Sequence, residues 1–183
     1  SVDASKKYSE QDIQDFKNEV GKKEGEIYIV NVSRLVHKNA VDDCIRALTF
    51  LPENIHLLSV GGGPDEEKLK NLVKELKLEN RGKFTGQVDR TMTAKYRMIS
   101  DIFCRPSRSE GFGNSFASAM ASRLPIIATQ EGGLKDFIFD AKRDSDKETT
   151  AWVVDKDKPE QIAEAVKDIL ANPDQVKKVT ETS

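Results

Sequence analysis

Cysteine and histidine are scarce in this chain of 183 residues. Cys44 and Cys104 are its two cysteines, and His37 and His56 its two histidines. Two cysteines are too few for a disulfide scaffold, so a reduced, cytosolic setting is the default expectation. No His, Cys or Asp cluster at metal-ligand spacing occurs, and both histidines read as structural or solvated. An excess of either charge is also missing. Lys plus Arg number 29 against 31 Asp plus Glu, a formal net charge of −2 that gives no electrostatic reason to expect nucleic acid. No run approaches the length of a membrane helix, and no charged-then-apolar segment opens the chain. No internal repeat or low-complexity stretch is present. The first residue is Ser1 rather than methionine, which raises the expectation of a processed or excised fragment. What remains is enough chain for one domain with a real core, and too little for two large ones.

What is there alternates. "EIYIVNVSRL" is a β-branched apolar run and reads as a buried strand. "AVDDCIRALTFL" then carries Val41, Cys44, Ile45 and Leu48 at helical spacing. "IHLLSV" is a second strand, closed by Gly61-Gly62-Gly63-Pro64. "DEEKLKNLVKELKL" follows as an amphipathic helix, with Pro64 suited to its first position. The same reading gives strands at "GKFTGQV", "DIFCRPS", "LPIIAT" and "TTAWVVD". It gives helices at "RTMTAKYRMI", "NSFASAMASR", "GGLKDFIFDA" and "KPEQIAEAVKDIL". Six strands alternating with helices demand an α/β fold: a Rossmann-like, doubly wound, mostly parallel sheet. Residues 1–24, with Lys6, Lys7, Glu10 and Asp12, read as a solvated linker or edge segment with partial helix, and residues 25–183 as the domain.

In such sheets ligands bind beyond the carboxyl ends of the strands. Arg34 and Lys38 follow the first strand and can clamp phosphates, one as a fork and one as a point charge. The alternative is two surface cations, one of them paired with Asp42 or Asp43. The "GGGPDEE" turn after the second strand lacks the last glycine of G-x-G-x-x-G, and its three acids repel an anion. Gly61 and Gly63 can still let an uncharged part of a ligand approach the backbone. After the fourth strand comes "PSRSEGFGNSFASAMASRLPIIAT". Here Glu110 precedes Gly111, Phe112 and Gly113, and no acid follows before Glu131. A helix opening near Asn114 and Ser115 then offers free N–H groups to a phosphate, while Glu110 accepts bonds from hydroxyls. That pairing suits a sugar phosphate or a nucleotide sugar. The alternative is an ordinary helix cap with Glu110 as its dipole partner. Gly132 and Gly133 form either another backbone wall or a plain turn.

Taken together, "VSRLVHKNAVDDCIRAL", "LLSVGGGPDEEKLKNLVKEL", "KFTGQV", "DIFCRPSRSEGFGNSFASAMASRLPIIATQEGGLKDFI" and "AWVVDKDKPEQIAEAV" resemble the donor-binding, C-terminal half of a GT-B glycosyltransferase of the retaining family 4. The segments stand in family order from about residue 27 to 171. The resemblance implies transfer of a sugar from a nucleotide-diphosphate sugar to an acceptor glycan or lipid. It implies catalytic roles for Arg34 and Lys38 at the donor diphosphate and for Glu110 at the sugar hydroxyls. Phe112, Gly113, Asn114 and Ser115 would line sugar and phosphates through their backbone, and Val88 would offer backbone bonds to the base. No metal or other cofactor is implied, because cations and a helix N-terminus neutralise the leaving diphosphate. The implied partners are the nucleotide sugar, the acceptor and a missing N-terminal domain, with no nucleic acid. Without that domain, transfer should be very weak or absent. The implied location is cytoplasmic, with peripheral association at the inner membrane face through the missing half.

The chain departs from the family pattern at three places. Ser118 stands where a second glutamate, eight positions after Glu110, would bind the ribose. Ala40 replaces a common glycine, and Arg123-Leu124 replaces a small residue; both are expected to concern packing. Ser118 keeps open a non-catalytic nucleotide-binding module, and a nucleotide-sugar epimerase-like enzyme would share the fold. A dinucleotide-binding dehydrogenase is disfavoured by the absent G-x-G-x-x-G.

Overall fold

The structure, a computed structural model, describes residues 8–109, 123–130 and 151–182. Its strands are β1 (Ile27–Val32), β2 (Ile55–Val60), β3 (Gly82–Phe84), β4 (Ile102–Arg105), β5 (Ile126–Ala128) and β6 (Trp152–Val153). They form one six-stranded sheet in the order β3-β2-β1-β4-β5-β6, and every ladder among the described residues is parallel. The expected α/β architecture with a parallel sheet is therefore present. The helices expected at 114–123 and 132–141 fall almost wholly outside the described residues.

The described helices are α1 (Glu10–Val20), α2 (Val41–Ala47), α3 (Glu66–Glu75), α4 (Arg90–Met98), α5 (Pro159–Ala171) and α6 (Pro173–Thr182). Strand residues alternate between two cores because successive side chains leave opposite faces. Ile29, Leu57, Ile102, Cys104 and Ile127 pack with Ile45, Leu69 and Val166 on one face. Tyr28, Val30, Leu58, Phe103 and Ala128 pack on the other, against Val20 and Tyr96. Both faces are covered, which is why β1 and β2 read as near-continuous apolar runs.

Two helices lie where the sequence reading had none or only a trace. In α1, Ser9 and Asp12 exchange side-chain and backbone bonds in a capping box, and Gly21 closes the helix at φ 92°. Its Phe16 is buried, 5.3 Å from the Tyr96 ring. Just beyond α1, Lys22 pairs with Asp101 at 2.7 Å, and the same carboxylate oxygen takes the Tyr28 N–H. Part of the segment read as linker, from Ser9 to Lys22, thus packs onto the domain. The second is α6, which buries Val179. Pro64 sits two residues before α3 rather than at its first position, and the N–H of the intervening Asp65 is held by the Leu35 carbonyl at 3.0 Å. Among the described residues, no helix is long and apolar enough to cross a membrane.

The strand order reverses between β1 and β4. Their register spans only Ile29–Val30 against Ile102–Phe103. Beyond it the link passes to a side chain: buried Asn31 donates through Nδ2 to the Cys104 carbonyl at 2.8 Å. Such a reversal opens a crevice at the carboxyl edge of the sheet.

Candidate functional site

The loop after β1 is built around a buried leucine. Leu35 is fully buried, its N–H donates to the Gly62 carbonyl, and its own carbonyl holds Asp65. Arg34 and Lys38 flank it and are both exposed. Asn39, 2% exposed, ties the loop's ends together by donating to the Arg34 carbonyl at 2.7 Å. Asp42 and Asp43 face Arg108 instead of Arg34 or Lys38. The pairing of one clamp cation with these acids, an alternative left open by the sequence, is absent among the described residues.

A cavity of about 240 Å³ opens beside this loop, beyond the carboxyl ends of β1, β2 and β3. Arg34, Gly61 and Val88 line it together, with Ser33, Gln87 and Thr93. Lys38 and Gly63 lie off its wall. The glycines after β2 answer first to backbone crowding. A Cβ on Gly61, whose φ is 136°, would fall onto the Ser33 carbonyl. One on Gly63 would lie 2.6 Å from the Leu35 nitrogen and 2.7 Å from its carbonyl oxygen. The Cβ side of both is thus filled by the β1 loop, while Gly61 still lines the cavity. Larger hollows of about 690 and 530 Å³ lie at the opposite edge of the sheet and between α2 and α3. The first is lined by groups engaged with each other, such as His56 and Glu26 at 3.0 Å. It lies away from the carboxyl ends of the strands, where this fold binds ligands. The second reaches the loops after β1 and β2 through Val36, His37 and Asp65 but sits on the helix layer.

The segment after β4 meets the β1 loop directly. Ser107 is fully buried, and its carbonyl takes a bond from Thr129 Oγ1 at 2.7 Å. The Arg108 N–H donates to the Lys38 carbonyl at 2.7 Å. Lys38 is therefore joined by the main chain to a residue two positions before Glu110. Glu110, Gly111, Phe112, Gly113, Asn114, Ser115 and Ser118 lie outside the described residues.

Arg108 is the electrostatic centre of this edge. Its Nη1 and Nη2 fork onto Asp42 at 3.1 and 3.0 Å, and Nη2 also reaches Asp43 at 3.5 Å. Its Nε holds Asp157 at 2.6 Å, and Nη1 donates to the His37 carbonyl at 2.6 Å. Burial works against the guanidinium, but its bonds to Asp42 and Asp157 hold its pKa above the ordinary value. The bond from Arg108 holds Asp157 below the usual carboxylate range. Burial, reinforced by the charge of Asp42, pushes Asp43 up to about 6.

The replacements at positions 40 and 123 also concern the backbone: the buried Ala40 bears on packing, as expected, but both positions have positive φ. Ala40 has φ 55° and Arg123 φ 59°. A residue without a Cβ suits that left-handed region, so glycine is the natural occupant of both positions. Residues missed by sequence reasoning are Arg108, Asn39, Gln87 and Thr93. Gln87 and Thr93 had a signal in their position, just after β3 and in the first turn of α4. Arg108 shared that signal, just after β4, but its partners, the nearest of them Asp157 at 49 residues, were not in view.

The sequence profile of the family described as "Glycosyl transferases group 1" matches residues 12–183. A GDP-mannose-dependent alpha-(1-6)-phosphatidylinositol monomannoside mannosyltransferase of Mycolicibacterium smegmatis is 31% identical over 155 residues, covering 79% of this chain and 39% of that protein. The chain thus spans well under half the length of that relative. Anabaena HepE in complex with UDP and glucose superposes with a TM-score of 0.84 at 19% identity, over 94% of this chain and 46% of that one. The C-terminal domain of LpcC from Francisella tularensis superposes with a TM-score of 0.76 at 21% identity, over 98% of this chain and 93% of that one. At these identities the two structures speak for the fold.

Proposed function

Since this chain belongs to the group 1 glycosyl transferases, we propose that it is the donor-binding half of a retaining, family 4 GT-B enzyme. That enzyme transfers a sugar from a nucleotide-diphosphate sugar to an acceptor glycan or lipid. One observation carries the reading. Two exposed cations, Arg34 and Lys38, flank a loop beside the β1–β4 reversal, with Asp42 and Asp43 engaged elsewhere and Arg34 on the rim of a cavity. On this reading both cations hold the donor diphosphate, and the Val88 backbone meets the base. Glu110 takes the sugar hydroxyls, and the backbone from Phe112 to Ser115 lines sugar and phosphates. Catalysis is then stabilisation of the departing diphosphate together with positioning. Support comes from the Mycolicibacterium relative, named for GDP-mannose, and from HepE, captured with UDP and glucose.

The acceptor would be held by an N-terminal domain, so the chain alone binds donor with little or no transfer. We place it in the cytoplasm, at the inner membrane face where the acceptor is a lipid. The buried, free thiols of Cys44 and Cys104, 3.8 Å apart, fit a reducing compartment.

The test is calorimetric titration of this chain with UDP, GDP and ADP, with and without a chelator. One of them should bind in chelator, and at about 100 times its dissociation constant should stabilise the fold by about 2.7 kcal/mol. Arg34→Ala and Lys38→Ala should each weaken it by roughly 1.5–3 kcal/mol, tenfold or more. Binding of none of the three, or binding abolished by the chelator, would overturn the reading.

A further inference from the structure

Two carboxylates stand where a diphosphate site is poorly served by any. Asp42 and Asp43 open α2, within five residues of Lys38, and α2 is a helix of only seven residues. Acids in that place repel an incoming anion. Their side chains are 33% and 6% exposed, so water screens Asp43 in particular poorly. The compensating charge comes from the other side of the crevice. All five N–H donors of the Arg108 guanidinium find acceptors in Asp42, Asp43, Asp157 and the His37 carbonyl, while its backbone N–H holds the Lys38 carbonyl. The side chain is 14% exposed. A lysine cannot reproduce this, because the arrangement uses a planar fork.

We propose that Arg108 is a positioning residue of the donor site: it fastens the Arg34–Lys38 loop to the segment leading into Glu110, and its charge shields the diphosphate from Asp42 and Asp43. This rests on the donor-binding reading above. Arg108 need not touch the donor. It fixes where the Lys38 backbone lies and removes the repulsion that the start of α2 would otherwise exert. The rise in the Asp43 pKa fits a carboxylate that is already short of compensation.

The experiment is titration of the chain with UDP, GDP and ADP and with the matching monophosphates, at low and high salt. Arg108→Ala should weaken the preferred diphosphate about tenfold or more. The monophosphate should lose less, and the loss should shrink at high salt. Adding Asp42→Asn and Asp43→Asn to Arg108→Ala should recover the part of the lost affinity that is due to the repelling charges, leaving the part due to the unfastened loop. A purely structural arginine predicts otherwise: equal losses for both ligands, no salt dependence and no recovery. That pattern would overturn the proposal. Should Arg108→Ala not fold, Arg108→Lys carries the test. It keeps the charge without the fork, and diphosphate affinity should fall about threefold; unchanged affinity overturns the proposal. If the unaltered chain binds none of the nucleotides, the donor-binding reading itself fails. If it binds and Arg108→Ala binds as tightly, only the role of Arg108 does.

Discussion

Arg123→Gly should stabilise this protein although it removes a side chain. Arg123 is exposed, and its φ of 59° lies in the left-handed region. There the Cβ of an L-residue crowds the following carbonyl oxygen, at roughly 1–2 kcal/mol. Glycine removes that strain. Against it stands glycine's greater freedom in the unfolded chain, about 0.4–1 kcal/mol. Little apolar surface is lost from an exposed site, so the net gain is about 0.5–1 kcal/mol. For a chain of this size that raises Tm by about 1–4 °C. Ala40→Gly is the internal control. Its φ is 55°, but its methyl is fully buried. Losing a buried methyl removes a further ~0.8 kcal/mol, and the three contributions then cancel to about zero. Urea unfolding of both variants, followed by circular dichroism, gives the midpoint and the slope separately. A lowered midpoint for Arg123→Gly at unchanged slope would refute the strain argument. An equal gain at both positions would show that the Ala40 methyl contributes nothing.

Asp43→Asn should have a pH-dependent effect on stability. Asp43 is raised from 3.8 to about 6, so the stability it contributes is present below 3.8 and lost as pH rises through about 6. The amide of the variant mimics the neutral acid. The variant should therefore be more stable than the parent at pH 8, by about 1–3 kcal/mol, and the gap should close by pH 4. A gap that widens on acidification would sink this. Gly63→Ala should cost about 1–3 kcal/mol, because its Cβ meets the Leu35 backbone at 2.6 Å. Gly62→Ala, with its nearest neighbour at 3.3 Å, should cost much less. Thermal melts of the pair decide the matter, and equal melting points would show that the β1 and β2 loops are not locked together.

The sheet was legible because both faces of its strands are buried. "IYIVNV" and "IHLLSV" are near-continuous apolar runs, and amphipathic segments between them leave few options besides a parallel sheet. Helix α1 was harder, since its apolar face is thin: Phe16 is its one fully buried residue, helped by half-buried Ile13 and Val20 among mostly charged and amide-bearing neighbours. Its capping signal, serine followed three residues later by an acid, was nonetheless in view. At the site, Arg34 and Lys38 could be picked out because they follow a strand, and position after a strand is a local property. Arg108 could not, although it too follows a strand. Its partners lie 66 residues away at Asp42, 71 at His37 and 49 at Asp157. Only the strand order makes them neighbours. With β4 beside β1, the loops after these two strands must face each other, and an arginine on one meets the acids that open the helix on the other. The topology was therefore the missing premise. The order β3-β2-β1-β4-β5-β6 applied to the same residues would have set Arg108 against Asp42 and Asp43, away from Arg34 and Lys38.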